Sequence, residues 1–417
     1  MIQRHTCDNG LRIVTERIPS VRSVALGIWV GTGSKYENEK NNGISHFLEH
    51  MFFKGTKTRS AKEIAETFDE IGGNVNAFTS KEYTCYYARV LDQHAPIALD
   101  VLSDMYFNSV FDADELEKEK NVVIEEISMY EDTPDDLVHD LIARASYSTH
   151  PLGYSILGTE DVLRSLKRDD LLAYIDQHYL PTNTVITVAG NFEDSLIEDI
   201  QKRFQAFSRP GIIPTLSTPD FAGNVIAHHK ATEQAHLCLS LPGFKVGHPE
   251  VYSLILLNNV LGGSMSSRLF QEIREERGLA YSVYSYHSSY KEAGTFHVYT
   301  GTAPEQVGQV FDIVSRVLRD VADHGITDKE LNKGKEQLKG SLMLSLESTN
   351  SRMSRLGKNE LLLGRHLSLD EIIAKIDRVS HESVLAVAQQ LFRSKMSMAM
   401  VSPLDGFPEN VKNDILL

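Results

Sequence analysis

The chain has 417 residues, which is more than one hydrophobic core usually supports, so two domains of roughly 200 residues each are expected. Its hydrophobic share of 41% and charged share of 24% are ordinary for a folded globular protein and exclude long disordered tracts. The formal net charge of −15 predicts no nucleic acid and no membrane as a partner, because the field of the protein repels polyanions. This acidity either attracts basic peptides or serves solubility alone.

The cysteines and the N-terminal residues indicate the cellular compartment of the protein. Cys7, Cys85 and Cys238 are widely separated and form neither a disulfide framework nor a paired metal-binding motif, which favours a reducing compartment. The first residues contain no apolar run of signal-peptide length, and no stretch approaches the roughly 18 consecutive apolar residues of a membrane span. We therefore expect a cytoplasmic protein from which no segment is removed.

The predicted elements follow the same coarse order in both halves of the chain, with strands first and helices after them. The first half has β-rich segments at 11–18 and 23–34, helices at 44–54 and 61–71, a strand at 85–90 and helices from residue 96 onward. The second half has β-rich segments at 225–230 and 236–244, helices at 249–261 and 266–277, and strands at 281–286 and 295–301.

This order predicts an α+β fold used twice, each time as helices against one face of a mostly antiparallel sheet. Residues 209–223 contain three prolines and no helical or alternating apolar period, so they are the predicted linker. The predicted domains are therefore residues 1–208 and residues 224–417. The two halves share little sequence, and we interpret them as a structural duplication rather than a sequence repeat.

A possible metal site stands in the segment NNGISHFLEHMFFKG. His46 and His50 are four residues apart, so in a helix they lie one turn apart on the same face, where two imidazoles can bind one metal ion. Glu49 lies near the same face and could reach a water on that metal. This is the HxxEH order, the inverse of HExxH, and chance remains the alternative for the motif alone.

A catalytic zinc generally takes three protein ligands, so a third ligand is needed. Asp112 with Glu115 predicts the start of a later helix, which Thr133 and Pro134 help to end. Two turns of that helix place Glu119 and Glu126 on one face, and the apolar residues expected to pack inward beside them are Val122, Val123 and Met129. The alternative is an ordinary solvated helix face.

The segments GSKYENEKNNGISHFLEHMFFKGT and GGNVNAFTSKEYTCYYARV resemble the zinc-bearing subunit of mitochondrial processing peptidase. The wider group is the insulysin-like, or M16, metallopeptidases. The resemblance runs over the whole chain, is densest in residues 33–90, and includes SSRLFQEIREERGLAYSV in the second half. It implies two similar α+β domains and a zinc-dependent peptidase.

The resemblance also implies residue roles. The family's third ligand, a glutamate some 75 residues beyond the second histidine, matches Glu126, and its auxiliary glutamate matches Glu119, for which we expect an orienting role. The family's substrate-binding arginine and tyrosine match Arg274 and Tyr281, although an exposed helix end is the alternative there.

The segment GGNVNAFTS resembles the family's substrate strand, in which relatives pair an extended peptide with a sheet edge. The matching residues are Asn76, Ala77 and Phe78. Main-chain pairing would give broad sequence tolerance. A plain hairpin is the alternative interpretation.

These inferences predict a bacterial zinc endopeptidase with one zinc ion per chain, in which Glu49 is the general base. Since the chain carries both the zinc motif and the Arg274/Tyr281 pair, the resemblance implies a homodimer whose sites are completed in trans. The substrate would be a peptide or an unfolded polypeptide. The alternatives are a non-catalytic scaffold like the respiratory core proteins, a subunit of a heteromeric processing peptidase, and a metal-binding regulator.

Overall fold

The computed structural model of the protein describes residues 2–209 and 211–413. These residues form two compact units, each with one β-sheet and its own helices. The first unit is built from the segments Met1–Ser128, Tyr154–Leu216 and Ser345–His366, and the second from Met129–Gly153, Ser217–Leu344 and Leu367–Leu417.

Each unit contains one mixed sheet. The first sheet consists of β1 (Ile2–Thr6), β2 (Arg12–Arg17), β3 (Ser23–Val30), β4 (Asn74–Thr79), β5 (Thr84–Leu91) and β6 (Thr184–Gly190) in the order β1-β2-β6-β3-β5-β4. The second consists of β7 (Val225–His229), β8 (Ala235–Pro242), β9 (Ala280–Ser289), β10 (Gly294–Thr302) and β11 (Ser397–Ser402) in the order β7-β11-β8-β10-β9. Neighbouring strands are antiparallel except for β2 beside β6 and β7 beside β11.

The helices follow the predicted pattern in both halves. In the first half they are α1 (Ile44–Met51), α2 (Ala61–Glu70), α3 (Ala95–Asn108), α4 (Ala113–Glu131), α5 (Pro134–Tyr147), α6 (Glu160–Ser165), α7 (Arg168–His178) and α8 (Asp194–Phe204). In the second half they are α9 (Val251–Leu261), α10 (Val307–His324), α11 (Asp328–Ser345), α12 (Thr349–Leu362), α13 (Leu369–Asp377), α14 (His381–Phe392) and α15 (Glu409–Asn413).

The α+β fold class is confirmed, and so is the mostly antiparallel character of the sheets. One element differs in kind: where a plain helix is predicted at 266–277, the structure has a π-helix at Phe270–Glu275. None of the helices in the described part of the chain is both long and apolar enough to cross a membrane.

The first sheet is covered on both faces. On one face, the core contains Leu26 of β3, Phe47 of α1, Leu99 of α3 and Val123 of α4. On the other face, α12 packs over β2, β3 and β6, and the fully buried Trp29 lies beneath it. The close approach needs Gly357, since a Cβ there would come within 2.2 Å of the Trp29 ring.

The second sheet is likewise covered on both faces. Leu239 of β8 and Val298 of β10 lie in the core with helices α9, α10 and α14. On the opposite face, helix α5 packs on β8 and β11 through Val138 and Ile142. A helix from the first half of the sequence thus completes the second unit.

The compact units therefore differ from the predicted contiguous ranges 1–208 and 224–417. The chain passes between units at Leu216 and Ser217, inside the predicted linker 209–223, whose described residues contain neither helix nor strand. However, the segment with α5 belongs to the second unit, and the segment with α12 belongs to the first. The apolar period of a helix predicts that it packs on something, but not on which sheet.

Candidate metal centre and active site

Helix α1 carries the HxxEH motif and begins in an unusual way. Gly43 precedes it with φ +96°, a conformation that favours glycine, and contributes no side-chain cap. The buried carboxylate of Glu37 takes the role of the cap: Oε2 accepts from the Gly43 N–H at 2.7 Å and Oε1 from the Ser45 N–H at 2.9 Å. Asn42 Nδ2 donates to Oε2 as well, at 2.8 Å. These bonds satisfy two backbone N–H groups at the start of the helix and fix the short helix in place.

The three predicted metal ligands lie together in the first unit. One ligand atom each from His46, His50 and Glu126 falls within 4.8 Å of the other two. Glu126 Oε2 is 3.7 Å from His46 Nε2 and 3.5 Å from His50 Nε2. These separations are too long for hydrogen bonds, whereas tetrahedral zinc bonds of about 2.0–2.2 Å hold ligand atoms about 3.3–3.5 Å apart. The donor set therefore fits zinc, and helix α4 supplies the carboxylate as predicted.

Glu119 lies behind His50, on the side away from Glu126. His50 Nδ1 donates to Glu119 Oε1 at 2.8 Å, and Glu119 Oε2 pairs with Lys54 Nζ at 2.6 Å. A carboxylate on the non-ligating nitrogen orients the ring and selects the tautomer that leaves Nε2 free. The position of Glu119 thus suits the orienting role that is predicted for it.

The protonation preferences of these groups differ. Burial, with the neighbouring His50, lowers the pKa of His46 to about 3, so this ring is neutral and able to bind a metal. Burial opposes a charge on His50 as well, but the hydrogen bond to Glu119 and the charges of Glu119, Glu126 and Glu49 together outweigh it and raise the pKa of His50. Burial would raise the pKa of Glu119, but hydrogen bonds from His50 and Lys54 lower it, so this carboxylate stays ionised.

Glu49, the predicted base, is partly buried one position before His50. Its Oε2 accepts a hydrogen bond from Thr79 Oγ1 at 2.6 Å. Burial raises the pKa of Glu49, which brings a carboxylate closer to the range that suits general-base catalysis near neutral pH. An open cavity of about 340 Å³ adjoins it, and the lining residues are Glu49, His50, Phe53, Lys54, Val75, Asn76 and Glu119.

The predicted substrate strand is β4, an edge strand of the first sheet. The Ala77 N–H bonds the Asn76 Oδ1 at 2.8 Å rather than strand β5. In an antiparallel ladder, alternate residues turn their backbone groups outward, so those of Ala77 face the free edge. Phe78 contacts Trp29 on the opposite face, with ring centroids 5.6 Å apart. The strand therefore has an edge at which a peptide could pair.

Arg274 and Tyr281 belong to the second unit. The Arg274 guanidinium lies over the Tyr281 ring at 4.7 Å and over the Phe270 ring at 4.8 Å. The Tyr281 side chain is 77% exposed. The two residues form a pair, and their role in substrate binding stays a prediction.

Part of the predicted packing of α4 is wrong. Val123 is fully buried, but Val122 is 51% exposed and Met129 is 66% exposed. At about 100° per residue, Glu126 lies at the border of the buried face, and Val122 and Met129 lie beyond it. The buried face of α4 is thus narrower than the sequence pattern predicts.

Sequence reasoning missed three residues around the site: Glu37, Lys54 and Thr79. Each acts through a contact between segments or elements that no periodicity describes. The only signal in the sequence is that all three lie within the densest part of the family resemblance.

Comparisons with known proteins identify the family of the chain. The family model described as insulinase, peptidase family M16, matches residues 12–160, which contain all the candidate metal ligands. The model described as peptidase M16 inactive domain matches residues 165–338. The chain belongs to the M16 peptidase family.

Bacterial relatives extend over nearly the whole chain. A Bacillus subtilis protein named as the uncharacterized zinc protease YmxG is 59% identical over 98% of this chain and 100% of its own length. A Streptomyces coelicolor protein, also named as an uncharacterized zinc protease, is 43% identical over 97% of this chain and 90% of its own. These names support a zinc-dependent peptidase.

Two solved structures share the fold. A protease from Helicobacter pylori has a TM-score of 0.92 at 22% identity, with 97% of this chain and 99% of that one covered. A Pseudomonas fluorescens structure described as a peptidase M16 inactive domain has a TM-score of 0.90 at 22% identity, with 98% and 99% covered. At these identities, the likeness supports the fold alone.

Proposed function

We propose that the chain is a zinc endopeptidase that hydrolyses peptides or unstructured polypeptides with an activated water. The observation that carries the proposal is the separation of 3.5–3.7 Å between Glu126 Oε2 and the Nε2 atoms of His46 and His50. Glu49 lies on the same short helix as the two histidines. His46, His50 and Glu126 would hold one zinc ion per chain. When bound, zinc would lower the pKa of a coordinated water and polarise the scissile carbonyl.

The residues of the chain would do the rest of the chemistry. Glu49 would accept a proton from the attacking water and return it to the leaving amine, as a general base and then a general acid. Glu119 would keep His50 oriented through Nδ1. The edge of β4, with Asn76, Ala77 and Phe78, would align an extended peptide by main-chain hydrogen bonds, which favours unstructured substrates.

The test is Glu49→Gln, which keeps the shape of the side chain and removes the base. We expect normal zinc content and a loss of peptide hydrolysis of about 100-fold or more. The exposed Glu70→Gln, on the neighbouring helix α2, is the matched control and should behave as wild type. Near-normal turnover by Glu49→Gln would end the assignment. Wild-type protein that binds zinc but cleaves no member of a peptide library would favour a scaffold or a regulator instead.

We also propose that the chain acts as a homodimer, in the bacterial cytoplasm, with sites completed in trans. Three cysteines without a disulfide support a reducing compartment. The side chain of Tyr281, which pairs with Arg274, is exposed and therefore accessible to a peptide.

A further inference from the structure

Thr79 stands at the end of strand β4, next to the proposed base. Side chains alternate along a strand, so Val75, Ala77 and Thr79 share one face, and Asn76 and Phe78 share the other. The Thr79 hydroxyl donates to Glu49 Oε2 at 2.6 Å, a short bond typical of a charged acceptor. It also lies 3.5 Å from the Ser45 carbonyl oxygen, one turn earlier in helix α1.

This bond restrains the carboxylate of Glu49. In the described part of the chain, Thr79 is the side chain that forms a hydrogen bond with the Glu49 carboxylate. A glutamate has three rotatable side-chain bonds, whereas threonine is β-branched and stiff at χ1, and here it sits in a paired strand. Thr79 uses one lone pair of Oε2, whereas Oε1 forms no hydrogen bond within the described residues and therefore remains able to take a proton from water.

We propose that Thr79 is a positioning residue that holds Glu49 in its catalytic orientation. The inference rests on the proposed function, in which Glu49 is the base. Thr79 is paired with Thr84 beside the hydrogen-bonded turn of Ser80 and Tyr83, so by the alternation of the ladder its backbone faces the same free edge as Ala77. The residue that orients the base therefore also belongs to the edge at which a substrate would pair.

Two substitutions separate the hydroxyl from the shape of the side chain. Thr79→Val keeps the β-branched shape and removes the hydroxyl, and Thr79→Ser keeps the hydroxyl. We expect Thr79→Val to lower kcat by about 10- to 100-fold, the range for one hydrogen bond to a charged group. KM and zinc content should stay within about twofold, because the backbone edge and the ligands are unchanged. Thr79→Ser should retain most of the wild-type kcat.

A double variant shows whether Thr79 acts through Glu49. In a Glu49→Gln background, Thr79→Val should cause little further loss, since the group that it positions is already absent. A full additional loss there, or equal losses in Thr79→Val and Thr79→Ser, would overturn the proposal. So would a wild-type kcat in Thr79→Val.

Crystal structures of zinc-loaded wild type and Thr79→Val test the same idea without turnover. We expect the Glu49 carboxylate to leave its position only in the variant, and an unchanged carboxylate would refute the positioning role. The two proposals can fail separately. Wild-type activity that survives Glu49→Gln would refute the base assignment, whereas a Glu49-dependent activity indifferent to the Thr79 hydroxyl would refute only this inference.

Discussion

Among the proposed metal ligands, His50 is the one whose second ring nitrogen is held by further side chains. Its Nδ1, the nitrogen that faces away from Glu126, bonds Glu119, and Glu119 pairs with Lys54. His50, Glu119 and Lys54 therefore form a continuous row of contacts. These contacts orient the imidazole ring of His50 in the absence of a bound metal ion. They also keep the carboxylate ionised, which makes the ring a better ligand.

Glu119→Gln should therefore weaken zinc binding by about 10- to 100-fold while leaving the three ligands in place. The amide cannot supply the charge that orients His50 and pairs with Lys54. Competition with a chelator of known affinity measures the change. The matched control is Glu125→Gln, an exposed neighbour of Glu126 on the same helix. Equal zinc affinity in Glu119→Gln and the control would contradict the orienting role.

At this scale, the sequence predicts residues whose relation is local. His46, Glu49 and His50 follow from the spacing of one helix, and Glu126 from the family resemblance. The contacts of Glu37 with the start of α1 and of Thr79 with Glu49 could not be predicted, because they join residues that the period of one element does not relate.

Helix α12 is held to the first sheet by a buried carboxylate as well as by packing. Glu360, which is fully buried, pairs with Arg4 of β1 at 3.0 Å and Arg12 of β2 at 3.4 Å, and His366 bonds its other oxygen at 2.9 Å. Burial would raise the pKa of Glu360, but the hydrogen bonds from His366 and Arg4 and the charges of Arg4 and Arg12 lower it to about 2. The network therefore stabilises the attachment of α12 only while Glu360 is ionised.

This carboxylate should make stability depend on pH. A folded-state pKa below the unfolded value of 4.5 means that the contribution is complete above about pH 5 and is lost as the pH falls toward 2. The shift corresponds to a contribution on the order of 3 kcal/mol. Glu360→Gln should therefore lower the free energy of unfolding near neutral pH, and its difference from wild type should shrink in acid.

Urea titrations followed by the fluorescence of Trp29, which lies under α12, measure this difference. The exposed Glu347→Gln, just before the helix, is the control and should match wild type at every pH. A difference between wild type and Glu360→Gln that stays constant from pH 6 to pH 3 would contradict the assignment.

On the scale of the whole molecule, the proposed homodimer predicts complementation between inactive subunits. His50→Ala removes a zinc ligand of the first unit, and Tyr281→Phe removes a hydroxyl of the second. If a site takes its zinc from one subunit and Tyr281 from the other, a mixed dimer has one intact site. Random exchange at equal amounts should restore about a quarter of wild-type activity.

The mixture is compared with each variant alone at the same total concentration. A site completed within one chain predicts no recovery on mixing, as does a monomer. Light scattering on the same samples reports the oligomeric state, so that a failure to exchange subunits is distinguished from a site that needs only one chain.

The sequence by itself determined the fold class, most of the helices and strands, and the local part of the metal motif. These follow from periodicity and spacing within single elements, which short-range geometry sets. The tertiary structure decided which sheet each helix covers: α5 and α12 pack in the units opposite to those that their sequence positions predict. It also decided which groups hold helix α1 and the side chain of Glu49 in place. Burial and hydrogen bonding between distant residues depend on the assembled chain, and a linear pattern of apolar residues does not contain them.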